Sequence, residues 1–130
     1  MNKVPLISIV DDDSIVRAAI ESFVKSHGFL ACTFASASAF LQSPLGAETS
    51  CLISDIQMPD INGAELQDRL ANLGLSIPTI FITAYPNDEI RTRVLSAGAV
   101  GFLHKPFDGQ SLIRCIDDAL NRRSGKLPSE

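Results

Sequence analysis

Two kinds of hydrophobic pattern alternate along the chain. Short apolar runs rich in β-branched and aromatic residues predict five β-strands, at residues 6–10, 30–34, 51–54, 79–83 and 101–104. Between these runs, apolar residues recur at helical spacing and predict five helices, at residues 15–24, 36–41, 62–73, 87–97 and 108–121. This alternation is typical of a parallel sheet covered by helices. Right-handed crossovers then favour an open, doubly wound α/β sheet.

Several predicted helices carry their own end signals. Gly28 and Gly74 follow the first and third helices, at the position where a left-handed residue commonly ends a helix. Asp88 and Glu89 lie in the first turn of the fourth helix, where negative charge suits the helix dipole. These signals support the helix assignments independently of the apolar pattern.

The size of the chain indicates one domain. Its 130 residues, of which 45% are hydrophobic, suffice for a single core without disulfide or metal support. From Arg123 onward the chain is polar, contains Gly and Pro, and shows no periodicity. We therefore expect a domain at residues 1–122 and a polar tail or linker stub at residues 123–130.

Charge and cysteine content exclude several classes of protein. The net charge of −4 argues against a nucleic-acid-binding surface, which needs an excess of Lys and Arg. Cys32, Cys51 and Cys115 lack the paired spacing of zinc or redox sites and are interpreted as reduced thiols. The sequence has no signal pattern and no apolar run of the ~20 residues that cross a membrane, which predicts a cytoplasmic protein without membrane contact.

Residues with acidic, basic or hydroxyl side chains lie at the carboxyl ends of the predicted strands. Asp11 and Asp12 follow the first strand, Asp55 follows the third, Thr83 ends the fourth and Lys105 follows the fifth. Because ligands of open α/β sheets bind beyond the carboxyl ends of the strands, we expect these side chains to converge. Clustered carboxylates repel one another unless a cation lies among them, and oxygen ligands at a shallow site suit Mg²⁺. A hydroxyl and an ammonium beside such a cation indicate phosphoryl transfer.

Each of these residues also has a simpler interpretation. Asp11, Asp12 and Asp13 could cap the first helix, because Asp is a favoured N-cap residue. Asp55 could be a loop carboxylate, Thr83 an ordinary strand residue, and Lys105 a solvated cation. The convergence of all of them favours the functional interpretation.

The chain resembles the receiver domains of two-component response regulators from about Leu6 to Asn121. The motifs that carry the resemblance are Ile9-Val10-Asp11-Asp12-Asp13, the stretch from Ser54-Asp55 through Met58-Pro59-Asp60 to Gly63, Phe81-Ile82-Thr83-Ala84, and Ala97-Gly98-Ala99 leading to Phe102-Leu103-His104-Lys105-Pro106-Phe107. The residues of these motifs are similar to those of FixJ-like receivers. The resemblance implies a flavodoxin-like sheet of five parallel strands in the order 2-1-3-4-5, with five helices.

The resemblance also assigns roles to the strand-end residues. Asp55 would accept a phosphoryl group from a sensor histidine kinase. Mg²⁺ would be held by Asp11, Asp12, Asp55 and the backbone carbonyl of Gln57. Lys105 and Thr83 would each bind a phosphoryl oxygen.

Further implications concern the switch and the output. The Lys105–Pro106 peptide bond would be cis, and Phe102 would occupy the aromatic switch position that acts together with Thr83. The face formed by the fourth helix, fifth strand and fifth helix would mediate a phosphorylation-dependent homodimer or contact an effector. The chain would then form part of a transcriptional response regulator, without itself acting as an enzyme on external substrates.

Two other classes of protein remain as alternatives. A Mg²⁺-dependent phosphatase or phosphotransferase with a nucleophilic Asp needs a second Asp two residues later, where this chain has Gln57. A flavodoxin-like cofactor module would need a phosphate-binding loop after the first strand, where this chain has three aspartates. Turnover of small phosphoesters would support the phosphatase, and a flavin absorbance band would support the cofactor module.

Overall fold

In the computed structural model, which describes residues 4–123, five strands and five α-helices alternate along the chain. The strands are β1 (Leu6–Val10), β2 (Leu30–Phe34), β3 (Cys51–Asp55), β4 (Thr79–Thr83) and β5 (Gly101–His104). The helices are α1 (Ser14–Ser26), α2 (Ala37–Gln42), α3 (Gly63–Asn72), α4 (Asp88–Ser96) and α5 (Gly109–Arg123). The predicted tail lies outside the described residues except for Arg123, which belongs to α5.

The strands form one parallel sheet in the order β2-β1-β3-β4-β5. This confirms the predicted doubly wound topology. The strand predicted to end at Ser54 continues through Asp55, which pairs with Ile82 of β4. A short 3₁₀ helix at Pro44–Glu48, which the hydrophobic pattern did not predict, forms because the Ser43 side chain caps its first turn and Pro44 opens it.

The sheet separates two hydrophobic layers. Alternate strand residues such as Ile7, Ile9 and Ile53 pack with buried residues of α1 and α5 on one face. Their neighbours in sequence, such as Val10, Leu52 and Phe81, pack on the opposite face with α2, α3 and α4. Because both faces are covered, the central strands β3 and β4 are buried along their whole length.

The helix ends follow local chemistry. Asp13 is the N-cap of α1, and its carboxylate accepts hydrogen bonds from the backbone N–H groups of Ile15 and Val16. Asn62 and Glu65 form a reciprocal capping box at the start of α3. Gly28 and Gly74 have positive φ after α1 and α3, as the sequence predicted.

Gly63, the first residue of α3, lies directly against the sheet. A Cβ atom built at this position would lie 2.9 Å from Phe81 Cε1 and 3.0 Å from both the Asp55 carbonyl oxygen and Ile56 Cδ1. Glycine therefore allows α3 to begin in contact with the end of β3.

Helix α4 is attached by fewer apolar contacts than its neighbours. It buries Val94, while most of its residues face solvent. Two polar contacts link it to α3: the Gln67 amide donates to the Val94 carbonyl at 3.0 Å, and Arg93 pairs with Asp68 at 2.8 Å. None of the described helices is both long and apolar enough to cross a bilayer.

Candidate functional site

The carboxyl ends of four strands bring the predicted residues together. Carboxylate oxygens of Asp11, Asp12 and Asp55 lie within 4.8 Å of one another. Lys105, which follows β5, reaches across to the same cluster, while Thr83 ends β4 beside it. The convergence expected from the sheet is present among the described residues.

Asp11 and Asp13 have different tasks despite their similar sequence positions. Asp11 is fully buried; its Oδ1 accepts from the Asp13 backbone N–H at 2.9 Å and its Oδ2 accepts from Lys105 Nζ at 3.1 Å. The capping interpretation is thus correct for Asp13. Asp11 instead directs a carboxylate oxygen into the cluster, and Asp12 is exposed at its rim.

Asp55 is held from two sides at the end of β3. It is 5% exposed, its Oδ2 accepts from Lys105 Nζ at 3.1 Å, and its Oδ1 accepts from the Gln57 backbone N–H at 3.2 Å. The Lys105 ammonium therefore bridges Asp55, at the end of β3, and Asp11, directly after β1. The Lys105–Pro106 peptide bond is cis.

Burial and charge oppose each other in this cluster. Burial raises the pKa of the Asp55 carboxyl group, and Asp11 adds to the rise, whereas Lys105 and the Gln57 N–H act against it. Burial alone would lower the pKa of Lys105, but its hydrogen bonds to Asp55 and Asp11, together with the attraction of their charges, outweigh that effect and raise the pKa. Lys105 therefore remains a cation among carboxylates that it cannot fully neutralise.

Thr83 makes a contact that the sequence did not predict. Its side chain is almost fully buried, donates a hydrogen bond to the Gln57 side-chain oxygen at 2.6 Å, and accepts one from the Tyr85 backbone N–H at 3.0 Å. From the sequence, Gln57 was expected to contribute to the site only through its backbone carbonyl. Neither spacing nor periodicity indicates where a Gln side chain points, so no sequence signal could have found this contact.

Two further residues complete the surroundings. Phe102 is half-buried on β5, in register with Phe81 at the middle of β4. The Arg17 guanidinium of α1 donates to the backbone carbonyl of Asp11, a contact that was also missed. The sequence analysis did not single out Arg17, and its place in a helix gives no signal of this contact.

The cluster has the donor chemistry of a hard divalent cation. Three carboxylates with neighbouring oxygen atoms outnumber the Lys105 ammonium, and Asp12 opens the cluster to solvent. Mg²⁺ prefers oxygen ligands and retains several waters, so a half-open acidic pocket of this kind is compatible with it.

The doubly wound sheet and its acidic pocket place the chain in the class of open α/β domains that bind ligands beyond the carboxyl ends of their strands. Residues 7–117 match the family described as response regulator receiver domain. The chain belongs to this family, and it functions as a phosphoacceptor in two-component signalling. Receiver domains of response regulators are phosphorylated by sensor kinases.

Individual relatives agree with this assignment. Response regulator protein TmoT of Ectopseudomonas mendocina is 40% identical over 115 residues, covering 88% of this chain and 52% of TmoT. Transcriptional regulatory protein FixJ of Rhizobium meliloti is 34% identical over 113 residues, covering 87% of this chain and 55% of FixJ. The crystal structure of FixJ-N superimposes with a TM-score of 0.82 at 32% identity, covering 93% of this chain and 96% of that one. The chain spans about half the length of the curated relatives it matches.

Proposed function

We propose that Asp55 is the residue that a sensor histidine kinase phosphorylates. The observation that carries the proposal is the pairing of Asp55 with Lys105 at 3.1 Å inside the acidic cluster. An Asp55 oxygen would attack the phosphorus of a phosphohistidine, forming a P–O bond while the P–N bond breaks and the imidazole nitrogen keeps the electron pair. Lys105 would neutralise charge on the transferred group.

Asp11, Asp12, Asp55 and the backbone carbonyl of Gln57 would hold Mg²⁺. When bound, the ion would offset the negative charge of the incoming phosphoryl group. The chain's own part is to fix the carboxylates: Asp11 by its buried hydrogen bonds, and Asp55 by β3 and the Gln57 N–H. Thr83 would supply a hydroxyl to one phosphoryl oxygen.

The output would pass through Thr83 and Phe102 to the face formed by α4, β5 and α5. A phosphoryl group adds roughly −1.5 to −2 charge and three acceptor oxygens, enough to draw a nearby hydroxyl toward it. The half-buried Phe102 ring would then move inward, and the altered face would form a homodimer or bind an effector.

The chain is proposed to be the receiver part of a transcriptional response regulator, as its similarity to the transcriptional regulatory protein FixJ suggests. We place it in the cytoplasm. Residues 1–122 would form the receiver domain and residues 123–130 a polar tail or linker stub. The net charge of −4 supports the proposal that this part does not itself contact nucleic acid.

Turnover of external substrates is not part of the proposal. A phosphatase with a nucleophilic Asp would need a general acid at position 57. Here the Gln57 side chain is an amide, which cannot act as a general acid, and its oxygen accepts a hydrogen bond from the Thr83 hydroxyl. The only expected reactions are phosphorylation and dephosphorylation of the chain itself.

Phosphorylation by acetyl phosphate with Mg²⁺ tests the proposal. Intact-mass measurement should find one added phosphoryl group that is stable in acid and labile in base, and Asp55→Asn should abolish it. Asp60→Asn is the matched control, because Asp60 is an exposed carboxylate of the same loop whose contact with the Ser38 N–H an amide oxygen can keep. Undiminished labelling of Asp55→Asn would refute the role of Asp55.

A further inference from the structure

The side chain of Gln57 connects the proposed phosphoacceptor to the proposed switch residue. Its backbone N–H donates to Asp55 Oδ1 at 3.2 Å, while its side-chain oxygen accepts from Thr83 Oγ1 at 2.6 Å. The second bond is at the short end of the range for O–H···O contacts, so it is well formed. Gln57 is otherwise exposed, and water would be the alternative partner for its amide.

The Thr83 hydroxyl cannot donate a second hydrogen bond. A threonine hydroxyl donates one hydrogen bond and accepts up to two. Thr83 donates to Gln57 and accepts from the Tyr85 N–H, so it cannot at the same time donate to a group on Asp55. Because Thr83 is 1% exposed, water does not readily replace the Gln57 oxygen as its acceptor.

We infer that Gln57 is a positioning residue that retains Thr83 in the unphosphorylated conformation by competing for its hydroxyl proton. This inference rests on the proposed function, since it assumes that a phosphoryl oxygen on Asp55 is the rival acceptor. The Gln57 contact stabilises only the resting conformation, so it opposes switching. A net hydrogen bond corresponds to about a three- to tenfold factor in an equilibrium constant.

The inference predicts how the chain binds beryllofluoride, a phosphoryl mimic, in the presence of Mg²⁺. Gln57→Met keeps the length of the side chain and the backbone carbonyl but removes the amide oxygen. It should tighten beryllofluoride binding about three- to tenfold, measured by amide NMR titration. Gln42→Met, at an exposed glutamine of α2, is the matched control and should leave the affinity unchanged.

A double-mutant cycle with Thr83→Val distinguishes competition from other effects of Gln57. Thr83→Val removes the hydroxyl, so Gln57→Met should have no effect on affinity in that background. An equal tightening with and without the Thr83 hydroxyl, or no tightening at all, would overturn the inference while leaving the proposed function intact. Failure of the wild-type chain to bind beryllofluoride would instead refute the proposed function, and the inference with it.

Discussion

Replacement of Gly63 by alanine should both destabilise the fold and impair Asp55. The added Cβ would approach Phe81 Cε1 at 2.9 Å and the Asp55 carbonyl oxygen at 3.0 Å. Ordinary carbon–carbon contacts lie near 3.5–4.0 Å, so the approach to Phe81 is about 0.6–1.1 Å too short. At 3.0 Å, the Asp55 oxygen would have to give way by a few tenths of an ångström. Neither neighbour moves easily, because Phe81 is fully buried and Asp55 is part of the sheet ladder.

The size of the effect follows from these contacts. Overpacking of this kind costs about 1–3 kcal/mol. The helix propensity of alanine returns at most about 1 kcal/mol, and less than that in the first turn, where glycine is tolerated. With the middle of each range, the free energy of unfolding should fall by about 1–2 kcal/mol. A shift of the Asp55 backbone should also slow phosphorylation by acetyl phosphate.

Urea denaturation followed by circular dichroism measures the first effect, and intact-mass labelling measures the second. Gly46→Ala is the matched control, since its Cβ would meet Leu75 Cδ1 at 3.7 Å and Phe40 Cζ at 4.0 Å, which are ordinary contacts. If Gly63→Ala unfolded at the same urea concentration as Gly46→Ala, the close approach of α3 to β3 would not constrain the fold as argued.

Three further predictions concern the acidic cluster and the core. Mg²⁺ at ten times its Kd should stabilise the wild-type chain by about 1.4 kcal/mol and Asp12→Ala much less, as urea midpoints will show. Without Mg²⁺, Asp55→Asn should be more stable than wild type at pH 7, with a difference that vanishes toward pH 3. Because the pKa of Asp55 is higher in the folded chain than its ordinary value of 3.8, protonation of Asp55 stabilises the fold. That stabilisation is fully present below pH 3.8 and is lost as the pH rises through the pKa of the folded chain. Burial, with a smaller effect of Cys115, raises the pKa of Cys51 to about 12, so a thiol reagent at pH 8 should label Cys51 only as fast as the chain unfolds.

Each of these predictions has a contradicting result. Equal Mg²⁺ stabilisation of Asp12→Ala would remove Asp12 from the cation site. A stability difference between Asp55→Asn and wild type that stayed constant from pH 3 to pH 7 would show that ionisation of Asp55 is not its cause. Labelling of Cys51 as fast as that of the half-buried Cys32 would contradict its burial.

The hydrophobic pattern predicted the order and type of the elements because strands and helices differ so clearly in period here. The pattern ended β3 one residue early, at Ser54, because a charged residue does not look like part of a buried strand. The backbone of Asp55 nevertheless pairs with Ile82 in the sheet. The 3₁₀ helix at Pro44–Glu48 was not predicted, since five residues are too few to show a period.

The rule that ligands bind beyond the carboxyl ends of the strands predicted which residues meet, but not what each residue does there. Asp11 and Asp13 are two residues apart, yet one joins the cluster and the other caps α1. Their side-chain directions depend on the turn between β1 and α1. The Gln57 contact with Thr83 joins residues 26 apart in sequence and depends in the same way on two loop conformations.

The sparse attachment of α4 has a consequence for hydrogen exchange. Its Arg93–Asp68 pair is exposed on both sides, and such pairs contribute only about 0–1 kcal/mol. With Val94 as its buried anchor, α4 should open locally at a lower free energy than β3 or β4, so its amides should exchange with deuterium well before those of the central strands. The sheet can then keep the acidic cluster rigid while one flanking helix changes position at little energetic cost.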